Sequence, residues 1–431
     1  MSDKQKFFFV AGNPVLHSLS PVLFNAFAME KQLLHKYVKA LCNSAADVQM
    51  LLQNGFAGGN ITAPFKEDIL LNGYQTSTTV EKIKAANTVF EKNDVFFLEN
   101  TDVYGVSLAL KQHIQDFKGK KAVVTGAGGA ARAAAFALLK LGCNVTLINR
   151  TEHKARYWSQ LLGCQFLPEK SAADCLEKAH ILVNTLSHTD KLTSGIHSHL
   201  TVLDADYKNS PLKDICQIKG ATYISGLNWL VWQAVSAYEH FTAKKVNPQV
   251  LFDALNNPVH QQTKNIVLVG MMKSGKSTVG DILAQKTGRV FTDTDELVEQ
   301  FAGKKISQIF AEDGEDEFRK IESQVFARCM HEENQVIATG GGLVVDQNNR
   351  VLINKHGLCV WLFTSVTSLI ARQDNTPRPL LKGEGIEEKL NAINHQRFSM
   401  YADCADLVLP VDRLSPDECG EILSAELNCY K

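Results

Sequence analysis

The fold of the first part of the chain is decided by residues 120–150, KKAVVTGAGGAARAAAFALLKLGCNVTLINR. An apolar run leads into a glycine turn, an alanine-rich stretch follows, and a second apolar run closes the segment. This order predicts strand, turn, helix and strand, which is a βαβ unit of an α/β fold. Strand-like runs at 180–184, 201–204 and 222–224 continue the alternation, and residues 236–242 are expected to lie in a closing helix.

The glycine turn, Gly126–Ala131 or GAGGAA, fits the pattern G-x-G-x-x-G/A between a strand and a helix expected from Arg132. Small residues there permit a tight turn and close approach of a pyrophosphate, and the amides that open a helix favour a phosphate. The pattern therefore predicts a dinucleotide site. Its cofactor contacts are expected from Gly126, Ala127, Gly128, Gly129 and Ala130.

The end of the second strand indicates which dinucleotide is bound. An acidic residue would bind the 2′-hydroxyl of NAD at this point, but the sequence has Asn149, Arg150 and Thr151, with Lys154 close behind. A guanidinium can pair with a 2′-phosphate, so NADP(H) is favoured over NAD. The alternative is that Arg150 simply ends the strand in solvent.

A second glycine loop lies in NIVLVGMMKSGKST, residues 265–278. It fits G-x-x-x-x-G-K-[ST] between an apolar strand and a helix, the arrangement that binds nucleotide phosphates and Mg²⁺. ATP contacts are expected from Met272, Lys273, Ser274, Gly275, Lys276, Ser277 and Thr278, with Ser277 also on the metal.

Two carboxylates, Asp293 and Asp295, follow the next short strand, RVFT. One can serve Mg²⁺, a role given to Asp293, and the other can orient or activate an attacking hydroxyl, a role given to Asp295. The loop and its carboxylates thus predict transfer of a phosphoryl group to a hydroxyl.

Composition is that of an ordinary globular protein. The chain has 431 residues, 45% of them hydrophobic and 21% charged, which predicts about two to four domains. Its net charge of −1 provides no basic field for general nucleic-acid binding. No apolar run reaches the roughly 18 residues of a membrane span, and no signal peptide is evident, so a cytoplasmic protein is expected.

The charge is divided along the chain. Residues 1–263 carry +5 and residues 264–431 carry −6, and a polar stretch lies between them at 255–265. We expect a linker at 259–264, and opposite charges would favour docking of the two parts. Ten cysteines without a C-x-x-C pair indicate reduced thiols rather than a zinc site or a disulfide framework.

Polar clusters ahead of the βαβ unit contain a lysine and an aspartate suited to proton transfer in carbonyl–alcohol interconversion. Taken together, the first part resembles shikimate dehydrogenase from about residue 7 to 258. The strings that carry the resemblance are GNPVLHSLSP (12–21), NITAPFK (60–66), AANT (85–88), NTDVYG (100–105) and Gly226 to Gln233 in GLNWLVWQ.

The resemblance implies that Ser18 and Ser20 hold the substrate carboxylate, while Lys66 acts as acid/base with Asp102 beside it. The other implied substrate contacts are Asn60, Thr62, Asn87, Tyr207 and Gln233, and Gly226 lies near the nicotinamide. The reaction would reduce 3-dehydroshikimate to shikimate with NADPH. The segment 184–190 lacks the Gly-Met that the family commonly has, so the wall of the nicotinamide pocket is expected to be rebuilt there.

The second part resembles shikimate kinase over roughly residues 265–428. The strings, in order, are DTD (293–295), GEDEFRKIE (314–322), GGG (340–342), RPLL (378–381) and Arg397. The resemblance assigns Asp295, Arg319, Gly341 and Arg397 to shikimate, with the two arginines on its carboxylate. It also implies that Arg378 lies on a lid over ATP and that Arg372 contacts adenine.

The sequence thus predicts an α/β protein with two catalytic parts and a small-molecule intermediate, shikimate, between them. The expected lobes are a substrate lobe at 1–103 joined by 236–258, a Rossmann NADP lobe at 104–235, and a P-loop kinase domain with a parallel sheet at 265–431. Two alternatives stay open: quinate as a further substrate of the first part, and a ligand-binding regulator in which one part is inactive.

Overall fold

The computed structural model describes residues 5–186, 188–208, 210–256, 265–372 and 385–430. The predicted linker at 259–264 and the lid residue Arg378 lie outside the described residues. No described helix is long and apolar enough to span a membrane.

Strands and helices alternate through the first part of the chain. They are β1 (Phe7–Gly12), α1 (Ser20–Glu30), β2 (Lys36–Leu41), α2 (Ala45–Gln53), β3 (Gly58–Ile61), β4 (Gln75–Thr76), α3 (Thr78–Ile83), β5 (Thr88–Lys92), β6 (Val95–Glu99), α4 (Asp102–Lys111), β7 (Lys121–Thr125), α5 (Gly129–Lys140), β8 (Asn144–Asn149), α6 (Glu152–Leu162), β9 (Gln165–Pro168), α7 (Ala172–Leu176), β10 (Ile181–Asn184), β11 (Thr201–Asp204), α8 (Leu212–Lys219), β12 (Thr222–Ser225), α9 (Gly226–Thr242) and α10 (Pro248–Asn256).

The second part has the same alternation. Its elements are β13 (Asn265–Val269), α11 (Lys276–Thr287), β14 (Val290–Asp293), α12 (Thr294–Ala302), α13 (Ile306–Glu312), α14 (Gly314–His331), β15 (Gln335–Ala338), α15 (Gln347–His356), β16 (Gly357–Phe363), α16 (Val366–Ala371), α17 (Ile386–Cys404), β17 (Leu407–Pro410) and α18 (Pro416–Tyr430).

The chain forms two compact units. One comprises the described residues of Met1–Pro21, Leu34–Phe56 and Pro258–Lys431, and we call it the P-loop unit. The other comprises the described residues of Val22–Leu33 and Ala57–Asn257, and we call it the Rossmann unit.

The Rossmann unit contains a sheet of six described strands, all parallel, in the order β12-β11-β10-β7-β8-β9. The strands predicted at 180–184, 201–204 and 222–224 are β10, β11 and β12. Five alanines of α5 are fully buried, and their small side chains let this helix lie close to the sheet: Ala131, Ala133, Ala134, Ala135 and Ala137. The helix expected from Arg132 begins earlier, at Gly129, because the sharp turn is made at Gly126, where φ is +107°.

A smaller set of strands in the same unit is mostly antiparallel. Strand β5 pairs antiparallel with β3 and β6, and β4 pairs parallel with β6. Helix α9 is longer than the predicted closing segment, since it begins at Gly226. Its Tyr238 packs against Phe24 and Phe27 of α1, with ring centroids 5.1 and 5.6 Å apart.

In the P-loop unit, seven described strands lie in the order β14-β15-β13-β16-β17-β2-β1, and every pairing is parallel. The two N-terminal strands therefore continue the sheet of the P-loop domain, and Leu407 and Val408 of β17 are in register with Lys39 and Ala40 of β2. The compact units accordingly divide the chain differently from the predicted lobes, whose limits stay a prediction.

Candidate active sites

A partly buried lysine–aspartate pair lies in the Rossmann unit. Lys66, in the loop after β3, places Nζ 2.7 Å from Oδ2 of Asp102, the first residue of α4. The indole Nε1 of Trp229 on α9 donates to the other carboxylate oxygen of Asp102 at 3.1 Å. Both oxygens of Asp102 are thus engaged, which fixes the direction in which it holds the ammonium group. Trp229 was not predicted as a site residue.

The predicted amide residues form a hydrogen-bond network. Asn87, which is buried, donates through Nδ2 to Oε1 of Gln233 at 3.1 Å and accepts from the amide of Thr101 at 2.7 Å. Asn60 donates to the carbonyl of Asn87 at 3.2 Å and to Oγ1 of Thr88 at 3.1 Å. Gln233 is therefore oriented by Asn87, whereas Asn60 holds the backbone of Asn87 and the side chain of Thr88.

A cavity of about 650 Å³ in this unit brings the acid/base pair and the glycine turn together. The predicted residues that line it are Thr62, Lys66, Asp102, Gly126, Ala127, Gly128, Gly129, Ala130, Asn149, Thr151, Lys154, Tyr207, Gly226 and Gln233. Asn60, Asn87 and Arg150 are not among its lining residues. Thr185 and Leu186, from the segment without Gly-Met, do line it, as does Trp229.

The glycines of the turn leave room that suits a dinucleotide. A Cβ on Gly126 would lie 2.4 Å from Oγ1 of Thr185, and one on Gly226 would lie 2.6 Å from the carbonyl of Ala205. A Cβ on Gly128 would meet no atom of the described residues within 4 Å. The backbone is therefore closely packed against other protein atoms at Gly126 and Gly226 and leaves open space at Gly128. Helix α5 begins next to Gly128, and a pyrophosphate is best placed there.

The end of β8 carries the residues predicted to select NADP. Asn149 donates through Nδ2 to the carbonyl of Thr151 at 3.1 Å, which shapes the turn into α6. Arg150 is exposed at this turn, and Lys154 lies on the first turns of α6. Two cations thus stand at the strand end where an NAD site would have a carboxylate.

A buried arginine links the lysine loop to the cofactor helix, and sequence reasoning gave it no role. Arg132 of α5 is fully buried, and its Nη2 lies 2.6 Å from Oε1 of Glu67, the neighbour of Lys66. Its guanidinium also stacks over Trp158, 3.9 Å from the ring centroid. Burial lowers the pKa of Arg132, and the charge of Glu67 opposes that shift. The ion pair ties the loop of Lys66 to the helix that opens at the glycine turn.

Ser18 and Ser20 belong to the P-loop unit. Oγ of Ser18 donates to Oγ of Ser20 at 3.2 Å and accepts from the amide of Ser20 at 3.3 Å. The two hydroxyls therefore lie side by side, and rotation of the Ser18 hydroxyl away from Ser20 would let both donate to one anion.

The phosphate loop of the P-loop unit is closely packed. Lys276 is buried, and its Nζ donates to the carbonyls of Gly270 at 3.0 Å and Met271 at 2.9 Å. Gly270 and Gly275 have φ values of +146° and +93°, which favour glycine. Oγ of Ser274 is buried without a hydrogen-bond partner in the part of the chain that the structure describes, so the loop holds an unsatisfied polar group suited to a phosphate.

The carboxylates that follow β14 begin α12. Asp293 caps the helix by accepting from the amide of Asp295 at 2.9 Å, and Asp295 is exposed on the first turn. A Cβ on Gly340 would lie 2.8 Å from Oδ1 of Asp295 and 2.5 Å from Oε1 of Glu322. Two carboxylates therefore converge on this glycine, and only glycine leaves space for both.

The predicted arginines lie around the same glycines. Arg319 places Nη1 2.6 Å from Oε2 of Glu322, and Nη1 of Arg397 donates to the carbonyl of Gly341 at 3.0 Å. Burial raises the pKa of the Glu322 carboxyl, and the charge of Arg319 opposes that shift. A Cβ on Gly341 would lie 3.1 Å from the amide of Met272 in the phosphate loop. The arginine cluster and the phosphate loop therefore meet at Gly341.

Two residues of this cluster were not predicted. Glu322 lies three positions after Arg319 on α14, a helical spacing that could have indicated the pairing. Tyr401 of α17 donates to the carbonyl of Gly341 at 2.6 Å, and burial raises its pKa to about 12. Arg372, predicted at adenine, donates through Nη2 to the carbonyl of Val411 at 2.6 Å.

Comparison with known proteins identifies both parts. Family models for "Shikimate dehydrogenase substrate binding domain", "Shikimate / quinate 5-dehydrogenase" and "Shikimate kinase" match residues 10–89, 107–208 and 272–427. The shikimate kinase of Symbiobacterium thermophilum is 44% identical over 163 residues, which are 37% of this chain and 94% of that protein. The crystal structure of shikimate dehydrogenase from Aquifex aeolicus matches with 31% identity and a TM-score of 0.55, covering 60% of this chain and 100% of that one.

The chain belongs to the shikimate dehydrogenase and shikimate kinase families. A second similar kinase, from Microcystis aeruginosa, is 42% identical over 37% of this chain and 85% of its own length. The structure of the Thermus thermophilus shikimate dehydrogenase in complex with NADP(H) and shikimate matches with 29% identity and a TM-score of 0.53, covering 58% of this chain and 98% of that one. The predicted α/β fold and the order of the two families are thus confirmed.

Proposed function

We propose that this chain catalyses two consecutive reactions of the shikimate pathway: NADPH-dependent reduction of 3-dehydroshikimate to shikimate, and ATP-dependent phosphorylation of shikimate to shikimate 3-phosphate. The observation that carries the proposal is the Lys66–Asp102 pair in one cavity with the glycine turn. The Arg319–Glu322–Arg397 cluster beside the phosphate loop supports the second reaction.

In the dehydrogenase, NADPH held by the glycine turn and by Asn149, Arg150, Thr151 and Lys154 would supply the hydride for the ketone carbon. Lys66 would give a proton to the ketone oxygen as it becomes a hydroxyl, and in the reverse direction it would take that proton back. Asp102 keeps the ammonium group of Lys66 in place.

The family resemblance assigns the remaining substrate contacts. Gln233, oriented by Asn87, and Thr62 line the cavity and would hydrogen-bond the substrate hydroxyls. The paired hydroxyls of Ser18 and Ser20 would bind the carboxylate. Tyr207 and Gly226 also line the cavity and would lie beside the nicotinamide.

In the kinase, the loop of Met272–Thr278 would hold the phosphates of ATP, and Ser277 with Asp293 would hold Mg²⁺, which neutralises charge on the transferred phosphoryl group. Asp295 would accept the proton of the 3-hydroxyl as it attacks. Arg319 and Arg397, together with Gly341, would bind the shikimate carboxylate. Arg372 would contact adenine and Arg378 would close over ATP.

We further propose that the two catalytic parts dock against each other, and that the protein acts in the cytoplasm. The pairing of β2 with β17 supports docking. The ten unpaired cysteines favour a reducing compartment.

A coupled assay tests the proposed function. The chain is given 3-dehydroshikimate, NADPH and Mg·ATP, and NADPH loss and shikimate 3-phosphate are followed separately. We expect both signals; absence of the phosphorylated product would contradict the combined function. Lys66→Ala should abolish NADPH oxidation and leave phosphorylation of added shikimate intact, and Lys276→Ala should do the reverse. Quinate with NADP then tests the breadth of the first site.

A further inference from the structure

The last helix of the kinase part reaches the loop that carries Ser18 and Ser20. Glu426 of α18 is buried, with 2% of its surface exposed. Its Oε1 accepts hydrogen bonds from the amides of Val15, at 2.9 Å, and Leu16, at 2.5 Å. Val15 in turn accepts through its carbonyl from the amide of Ser18 at 2.9 Å. The carboxylate of Glu426 is thus connected to Ser18 through two hydrogen bonds of the Val15 backbone.

A lysine also holds this loop. Lys39 of β2 donates through Nζ to the carbonyl of Leu16 at 2.5 Å. Burial lowers the pKa of Lys39, and the charges of Asp406 and Glu426 oppose that shift. The side chains of Val15 and Leu16 are themselves buried. Glu426 therefore holds the amides of Val15 and Leu16, and Lys39 holds the carbonyl of Leu16.

Burying the carboxylate of Glu426 costs folding stability. A buried carboxylate loses its hydration and is tolerated only where hydrogen bonds and charges replace it. Oε2 of Glu426 has no hydrogen-bond partner among the described residues, so the group is not fully compensated. A well-packed apolar side chain in its place would avoid this cost but could not accept from the two amides.

Helix α18 also packs against the helix that follows the phosphate loop. A Cβ on Gly420 would lie 2.4 Å from Cγ2 of Ile282 in α11, and Lys286 of α11 lies 3.5 Å from Glu421. Glu426 is therefore held on a helix that is fixed by the kinase part. The serine loop of the dehydrogenase is completed by a residue that lies 411 positions away in the sequence.

We propose that Glu426 is a positioning residue of the dehydrogenase reaction: it holds the Val15–Leu16 backbone so that Ser18 and Ser20 are set to bind the substrate carboxylate. The inference rests on the proposed role of the two serines. It makes substrate binding by the first enzyme dependent on a helix of the second.

The test uses steady-state kinetics of the full chain with Glu426→Ala, Glu426→Gln and the matched control Glu421→Gln, which changes an exposed carboxylate of the same helix. For Glu426→Ala we expect the KM for 3-dehydroshikimate to rise about 10-fold, as for the loss of hydrogen bonds to buried amides, with kcat altered much less. The KM for NADPH and both kinase constants should stay unchanged. Glu426→Gln keeps one acceptor oxygen and should recover most of the affinity.

The measured KM values decide the question. If the KM of Glu426→Ala for 3-dehydroshikimate stays within twofold of the value for the unchanged protein, the inference is overturned. It is also overturned if the KM rises equally for every substrate of both enzymes, because that result indicates general destabilisation. If Glu426→Ala fails to fold, Glu426→Gln and Lys39→Met take its place, with the thermal midpoint measured for each. Ser18→Ala and Ser20→Ala are measured in parallel. If neither variant raises the KM for 3-dehydroshikimate, the proposed role of the serines is wrong, and the inference about Glu426 is wrong with it. If the serine variants raise this KM and Glu426→Ala does not, only the role of Glu426 is wrong.

Discussion

Asp102 shows how much of a catalytic residue's behaviour depends on its neighbours. Its two carboxylate oxygens are divided between the ammonium of Lys66 and the indole of Trp229. A carboxylate bound on one side only could rotate and let the lysine move. The hydrogen bond from Trp229 therefore contributes to the geometry of proton transfer, although the indole itself neither gives nor takes the transferred proton.

The role of Trp229 can be measured with Trp229→Phe. The indole N–H is lost while an aromatic ring remains, so we expect kcat for 3-dehydroshikimate reduction to fall about 10-fold, since hydrogen bonds to charged groups are worth this order of magnitude. Trp232→Phe is the matched control, because the Nε1 of Trp232 is buried without a partner among the described residues. Equal rates in both variants would contradict the role given to Trp229.

A second prediction at this scale concerns cofactor choice. Arg150→Ala removes the exposed guanidinium at the end of β8, and we expect the KM for NADPH to rise about 10-fold while the KM for NADH changes little, because only NADPH carries a 2′-phosphate. Arg156→Ala, which removes a guanidinium 5.1 Å from the ring of Phe166, serves as control. Initial rates measured with NADPH and with NADH give the two KM values. An equal change in both KM values would show that Arg150 merely ends the strand.

At the scale of elements, the dehydrogenase site depends on how closely α4 and α9 approach each other. Gly105 of α4 faces Trp229 of α9, and a Cβ there would lie 2.5 Å from the indole Cδ1 and 2.8 Å from the carbonyl of Trp229. Glycine is normally unfavourable inside a helix by roughly 1 kcal/mol relative to alanine. Its presence is explained by the space that Trp229 needs to reach Asp102.

Gly105→Ala should therefore destabilise the protein despite the better helix propensity of alanine. We expect a loss of about 1–3 kcal/mol from overpacking, together with slower 3-dehydroshikimate reduction, since Trp229 must move. Thermal unfolding and both activities are measured, with Tyr104→Ala, an exposed neighbour on the same helix, as control. An unchanged or raised thermal midpoint would contradict this account of the contact.

At the scale of the whole molecule, the junction of β2 and β17 makes the two families share one unit. Phe56, which follows α2, lies among rings of the kinase part, with centroids 6.3 Å from Trp361, 6.0 Å from Phe363 and 5.4 Å from Phe398. Phe7 of β1 packs edge-on against Phe398 at 4.9 Å. This apolar cluster, rather than the covalent linker alone, joins the N-terminal strands to the kinase sheet.

Cutting the linker tests that junction. With a protease site introduced at 259–264, we expect the two fragments to elute together and to keep both activities, because each buried aromatic side chain contributes roughly 1.5–3 kcal/mol. Phe56→Ala in the cleaved protein should weaken the association, and the uncut chain is the control. Fragments that separate while retaining full activity would show that the linker alone holds the parts together.

The features that could be predicted from the sequence are those whose residues are neighbours in the chain. The glycine turn at 126–131, the phosphate loop at 270–277 and the alternation of strands and helices follow from local spacing, since period and turn chemistry are read within a few residues. The same local strings carried the resemblance to both families, and with it the two reactions.

Contacts between residues far apart in the sequence became known from the folded structure alone. Trp229 is 127 positions from Asp102 in the sequence, and Glu426 is 411 positions from Val15. Neither pairing produces a pattern of residue spacing from which it could be predicted. The charge division between the two parts suggested docking but gave no hint that β2 would continue the kinase sheet. Such contacts arise from the packing of complete elements, because a strand edge or a buried carboxylate acquires its partner only when the elements around it are in place.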